Sequence, residues 1–220
     1  SPWRLWPISS ESTEAGLAMN SDTTPTTQVI GLVMAAGLSQ RFGSDKRLAL
    51  LPGGEKLLSA TLALARHHFT DTRVVIRAQD DTRTLDLPKD QAVIRAPDED
   101  IGLGTSLGAA FKQLLNEQTE VQTAAVILGD MPWIGDASIV TLVQAAGEEL
   151  IIRPQCEGQV GHPVIFGRRF WCELSNLQGD QGAASVVKAH PQACHFLDLS
   201  DEQVLRDIDK PEDLGVNKRT

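Results

Sequence analysis

The chain has 220 residues, a formal net charge of −9, 41% hydrophobic residues and 22% charged residues. That length holds one α/β domain with a full core, or two small ones. The acidic balance excludes an extended nucleic-acid surface, which needs a basic patch, and no apolar run reaches the roughly 18 residues of a membrane-spanning helix.

Residues 1–27 are rich in Ser, Thr, Glu and Pro, show no sustained period and lack the apolar run of a signal peptide. Met19 is a natural candidate start, which would make residues 1–18 an over-extended reading frame or an expression scar. The segment is expected to be a poorly ordered extension, or one held only by Trp3 and Trp6 against a neighbour. The folded domain is expected over residues 28–220.

The first buried strand is expected from Val29 through Met34, a short apolar run that breaks at Ala35-Ala36-Gly37. The loop that follows carries Gly37, Gly43, Arg41 and Lys46. Glycines let a backbone turn with positive φ and approach a ligand closely. Freed amides can then face an anion, with the two cations adding charge. The loop reads as a polyphosphate cradle; the bland alternative is a basic strand-to-helix turn. A Walker A loop is excluded, because five residues separate the glycines and Lys46 comes three after the second. A dinucleotide-binding fingerprint is excluded because the third glycine is missing.

A helix is expected over residues 55–69, with Leu58, Leu62 and Ala65 on one face. His67 and His68 stand at its end, where cations suit the helix dipole. As adjacent residues they are expected to diverge rather than share an ion. Strands are expected at residues 72–78 and 91–95, with surface helix and loop between them. Gly102-Leu103-Gly104-Thr105-Ser106 leads into a helical period, so Thr105 or Ser106 is the expected N-cap and the preceding glycines offer a second set of ligand-facing amides.

Residues 123–128 read as a strand ending in Gly129-Asp130-Met131-Pro132. A carboxylate just past the carboxyl end of a buried strand lies at the ligand-binding edge of an open sheet. Asp130 there suits Mg²⁺, which takes hard oxygen ligands and shares them with substrate phosphates. Asp136 is the better cap for the following helix. A strand is expected again at residues 149–153, a turn and another strand over residues 158–166, then a short apolar helix face with Phe170, Trp171 and Leu174. A helix carrying Val186, Val187 and His190 and a last strand at residues 194–197 complete the pattern. Trp133 and Trp171 could each serve core or interface. Strands alternating with helices predict one three-layer α/β domain with a mostly parallel sheet. Cys156, Cys172 and Cys194 form no C-x-x-C pair, and their odd count makes a poor disulfide framework. They read as reduced cytoplasmic thiols.

Four segments occur in fixed order: AAGLSQRFGSDK, GDMP, GHPVIF with the following GDQGAA, and DIDKPEDL. Together they closely resemble the molybdenum-cofactor nucleotidyltransferase-like family, a resemblance that covers nearly all of residues 28–214. The G-H-P and G-D-x-G-A pair points to the branch of molybdenum cofactor cytidylyltransferase and its purine-catabolism relatives. The resemblance implies a Rossmann-like nucleotidyltransferase fold that acts with Mg²⁺. By the same resemblance, Ala35, Ala36, Gly37, Arg41, Gly43 and Lys46 bind the nucleoside triphosphate and Ser106 lies near base and ribose. Arg41, Lys46 and Asp130 form the catalytic set. Asp130 holds the metal with a second contact from Asp209, and His162 and Asp180 line the acceptor side. A-A-G rather than A-G-G at the loop implies CTP over GTP. Molybdopterin is the implied acceptor, and a molybdoenzyme or its maturation factor the implied protein partner. Phe42 stands where the family commonly has Met, and Lys210 where it has Thr. The rival readings are guanylyl or other nucleotidyl transfer, a non-catalytic nucleotide-binding protein that handles a cofactor, and a nicotinamide-dependent dehydrogenase.

Overall fold

The computed structural model describes residues 28–98 and 102–215. The expected extension over residues 1–27 lies outside them. Eight strands form one sheet: β1 (Ile30–Met34), β2 (Thr72–Arg77), β3 (Ala92–Ala96), β4 (Thr123–Leu128), β5 (Ile151–Cys156), β6 (Gln159–Val160), β7 (Val164–Gly167) and β8 (Cys194–Asp198). Their order is β3-β2-β1-β4-β7-β5-β6, with β8 paired to β5. The run β3-β2-β1-β4 is parallel, β7 is antiparallel to both β4 and β5, and β8 is parallel to β5. The helices are α1 (Leu57–His68), α2 (Leu103–Asn116), α3 (Asp136–Ala145), α4 (Trp171–Ser175) and α5 (Ala184–Ala189). The expected three layers and mostly parallel sheet are therefore present.

Alternation along β1 builds both cores. Ile30, Leu32 and Met34 pack with Leu107, Phe111 and Leu114 of α2 and with Trp171 of α4. Val29, Val33 and Ala35 pack on the other face with Leu58 and Leu62 of α1 and Ile139 and Leu142 of α3. A strand buried on both faces has no polar side to show, which is why its sequence reads as an unbroken apolar run. Trp171 is wholly buried, and its indole N–H donates to the Phe166 carbonyl at 3.1 Å. Trp133 is half-buried against a small cluster of Leu51, Leu57 and Ile208.

The chain leaves β1 toward β2 and β3 on one side, while β4 lies on the other. The carboxyl ends of β1 and β4 thus flank a topological switch point, where open α/β sheets take ligands. Gly129 makes their ends converge. Its amide donates to the Met34 carbonyl at 2.9 Å, and a Cβ there would stand 2.8 Å from that oxygen.

Several local expectations fail for tertiary reasons. Between β2 and β3 the chain forms turns, with no helix. Helix α2 starts at Leu103 behind Gly102, so Thr105 and Ser106 lie inside its first turn rather than capping it. The amides of Gly104 and Thr105 both donate to the Gly179 carbonyl, at 2.9 and 3.3 Å, so they are spent on the protein. Helix α3 begins at Asp136 behind Gly135. Its capping acceptor is remote: Asp201 Oδ2 takes the Gly135 amide and the Ser138 hydroxyl, each at 2.8 Å. His67 and His68 do not diverge: their rings meet edge to face with centroids 4.9 Å apart. Their ligand-type nitrogens lie with an Asp136 oxygen all within 4.8 Å of one another, and His68 Nε2 sits 2.6 Å from Asp136 Oδ1.

Glycines at the start of α2 let the 177–181 segment lie directly on the helix. A Cβ on Gly104 would come 2.3 Å from the Gln181 carbonyl, and one on Gly108 2.6 Å from that of Leu177. Both obstacles are backbone, so relief requires the segment to move. Gly104→Ala is expected to cost about 2 kcal/mol, read as a lowered urea midpoint with an unchanged slope.

Candidate active site

An open cleft of about 180 Å³ lies at the switch point. Among the described residues it is lined by Met34 to Leu38 from the end of β1, Lys46 and Arg47 from the loop, Leu57, Leu103 and Ser106 from α1 and α2, and Leu128 to Asp130 from β4. Of the sequence-stated residues, Ala35, Ala36, Gly37, Lys46, Ser106 and Asp130 meet here. Gly37 itself has no positive φ; only Gly43 of the two loop glycines does, at +81°. A Cβ on Gly37 would meet nothing within 4 Å, so the space above it is open. Ser106 lines the cleft with its hydroxyl donating to the Gly102 carbonyl at 3.3 Å.

The charges pair across the cleft. Lys46 Nζ donates to Asp130 Oδ2 at 2.7 Å and to the Ile208 carbonyl at 3.0 Å. The chain is tied together again where the Ile208 amide donates to the Asp130 carbonyl at 3.0 Å. Asp130 Oδ1 is buried without a hydrogen-bond partner among the described residues. Burial pushes the Asp130 carboxyl above the ordinary range against the pull of Lys46, and the charge of Asp207 pushes it further. A half-buried carboxylate with one buried, orphaned oxygen and a second carboxylate whose charge bears on it offers the oxygen donors that a hard divalent cation takes.

Arg41 lies at the rim, exposed, with Nη1 donating to Asp209 Oδ2 at 3.0 Å. That hydrogen bond, above all, holds the Asp209 carboxyl below its usual range. Asp209 therefore faces Arg41, and it is Asp207 whose charge bears on Asp130. The second metal contact that the resemblance implies, Asp209, is thus engaged by Arg41 in this structure. His162 is buried, outside the cleft lining. Burial, and then the charge of Arg153, lowers its pKa to about 3, so it is neutral near pH 7. Asp180 is exposed on the segment laid across the start of α2.

Arg47, absent from the expected site, is only 6% exposed. It donates to Asp45 through Nε and Nη2, to both oxygens of Asp80, and to the Ala35 carbonyl. Arg77 was missed as well; it reaches the carbonyls of Ala36 and Gly37. A basic residue next to Lys46 was the only local signal for Arg47, and Arg77 gave none.

A parallel-rich sheet, a glycine-bearing loop at its switch point and a half-buried carboxylate facing a lysine define a nucleotidyltransferase-type α/β protein. The chain belongs to the family of MobA-like NTP transferase domains, whose model matches residues 31–194. It is thus a member of a molybdenum-cofactor nucleotidyltransferase-like family. Over 204 residues it is 27% identical to the purine catabolism protein PucB of Bacillus subtilis, covering 87% of this chain and 96% of that protein. Over 116 residues it is 37% identical to a probable molybdenum cofactor guanylyltransferase of Chloroflexus aggregans, covering 52% of this chain and 51% of that one. Its fold resembles Rv0371c of Mycobacterium tuberculosis with a TM-score of 0.73 at 26% identity, over 86% of this chain and 96% of that one. A structure of Rv0371c in complex with manganese matches with a TM-score of 0.69, also at 26% identity, over 85% and 96% of the two chains. Among the described residues, no helix is long and apolar enough to cross a membrane.

Proposed function

We propose that this protein transfers CMP from CTP to a phosphate-bearing acceptor, with molybdopterin the leading acceptor, and releases pyrophosphate. The observation that carries the reading is the Lys46–Asp130 pair, closed at 2.7 Å across the cleft that the Ala35–Gly37 turn lines. In the transfer, an acceptor phosphate oxygen bonds to the α-phosphorus of CTP as the bond to the pyrophosphate oxygen breaks. An attacking phosphate is already anionic near neutral pH, so the reaction needs positioning and charge stabilisation rather than a general base. Asp130, with a second contact from Asp209 or Asp207, would hold Mg²⁺, which supplies charge stabilisation at the phosphates. Lys46 and Arg41 would give up their carboxylates for phosphate oxygens of the leaving pyrophosphate. The loop from Ala35 to Gly43 would follow the triphosphate, and Ser106 the nucleoside. Asp180, exposed beside the start of α2, would stand on the acceptor side, and His162 would serve that side through its turn.

CTP is favoured over GTP by Ala36, buried in the turn where guanylyl-transferring relatives carry glycine. The Chloroflexus relative is named for guanylyl transfer, and this keeps GTP as the second reading. The manganese complex of Rv0371c supports a divalent ion of this class. The test is pyrophosphate release with CTP or GTP, molybdopterin and Mg²⁺. Release with CTP alone is the expected result. Release with GTP alone moves the assignment to guanylyl transfer, and binding of CTP without release from any acceptor removes the transferase reading.

A further inference from the structure

In a trans peptide, the carbonyl of one residue and the amide of the next point to opposite sides of the chain. Fixing three consecutive carbonyls therefore fixes three amides. Arg47 Nη1 donates to the Ala35 carbonyl at 2.9 Å. Arg77 donates to the Ala36 carbonyl at 3.0 Å through Nε and to the Gly37 carbonyl at 2.5 Å through Nη2. The amides these bonds orient belong to Ala36, Gly37 and Leu38, and all three residues line the cleft. Outside helices and strands, none of the three donates to backbone among the described residues.

Arg77 is itself held in place. Its own amide donates to Asp80 Oδ2 at 2.7 Å, the carboxylate that also receives Arg47. From β3, Arg95 Nη1 donates to the carbonyls of Ala78 and Asp80, at 3.0 and 2.8 Å. The exits of β1 and β2 are each pinned by an arginine from the neighbouring strand.

We infer that Arg77 is a positioning residue for the proposed transfer: seconded by Arg47, it turns the carbonyls of the Ala35–Gly37 turn outward and so aims the Ala36, Gly37 and Leu38 amides at the phosphate oxygens of the bound nucleotide. The inference rests on the nucleotidyl-transfer reading. Amides aimed in advance stabilise an anion without reorganising when it arrives. The planar fork of arginine spans two successive carbonyls at once; a lysine ammonium is a single point charge.

The test compares wild type, Arg77→Gln and Arg77→Lys. Affinity for CTP and for GTP is measured by titration calorimetry with Mg²⁺, and backbone amide resonances are recorded without nucleotide. Arg77→Gln is expected to weaken triphosphate binding at least about tenfold. Arg77→Lys should restore only part of that loss. In both variants the nucleotide-free resonances of Gly37 and Leu38 should shift while those of α3 stay. Wild-type affinity in Arg77→Gln, or full rescue by Arg77→Lys, overturns the inference. If wild type binds neither triphosphate, the transferase reading fails instead. Unshifted Gly37 and Leu38 resonances would then still overturn the pinning, and shifted ones would uphold it.

Discussion

Replacing Asp130 by Asn is expected to lower Mg²⁺-dependent turnover by about a thousandfold or more, while the metal-free protein keeps or gains stability. The asymmetry follows from the site. Asn still offers Lys46 an oxygen but removes a buried charge whose Oδ1 has no partner. Burial raises the folded-state pKa of Asp130 above its ordinary value of 3.8. A carboxyl raised in this way penalises the native state wherever it is ionised, above the folded pKa, and imposes no penalty below the unfolded one. The Asn variant should therefore melt at or above the wild-type temperature near neutral pH, and that difference should fade as pH falls through the raised value. Because a proton and a cation compete for the same carboxylate, wild-type affinity for Mg²⁺ should fall over the same window. Turnover with wild-type efficiency in Asp130→Asn would remove Asp130 from the metal role. A clearly lower melting temperature in metal-free buffer would mean that the carboxylate serves the fold.

Such destabilised carboxylates are legible in sequence only when their surroundings are local. GDMP was readable because the strand, the glycine and the acid are consecutive. The AAG turn and Lys46 were readable for the same reason, and so was the alternation of strands and helices. What sequence did not show depends on contacts across many residues. The cap of α3 comes from Asp201, on a distant segment. The amides at the start of α2 are taken by Gly179, brought there by glycines that look from sequence like ligand-binding glycines. Within Asp207-Ile208-Asp209, two carboxylates two residues apart would share a side of an extended chain. Here Ile208 is buried, its amide is bonded to Asp130, and the Asp209 amide is held by Asp213 in a turn. That turn sends Asp209 to Arg41, a choice no pattern of period two could disclose. Arg77 behind the loop was invisible for a simpler reason: an arginine in a strand reads as a polar position, and its targets are backbone carbonyls just past the end of the neighbouring strand.

The largest stability effect is expected at Arg47→Leu. The guanidinium is 6% exposed and closes a cage of two carboxylates and a carbonyl: Asp45 on the loop, Asp80 after β2, and Ala35 after β1. Removing the cation strands two acids that were folded around it, and Asp80 is the more deeply placed, its side chain 12% exposed against 32% for Asp45. Breaking a buried pair from one side costs about 3–5 kcal/mol, and the access of water to Asp45 places this case at the lower end, about 3 kcal/mol. For a domain of this size that is a melting temperature lower by about 6–12 °C. The acid dependence identifies the cause. Arg47 hydrogen bonds hold the Asp45 carboxyl below 3.8 and, against its burial, hold Asp80 below it as well. Depressed carboxyls stabilise the native state above their unfolded pKa, and that stabilisation is lost as pH falls through their folded values. The gap between wild type and Arg47→Leu should stay constant from neutral pH down to about pH 4 and narrow below it. A gap that persists undiminished in acid would assign the loss to packing of the arginine stem rather than to its charge. Because the same cage fixes the Ala35 carbonyl, the variant should also lose nucleotide affinity at temperatures where it remains folded, linking the stability of this corner to the direction in which the loop presents its amides.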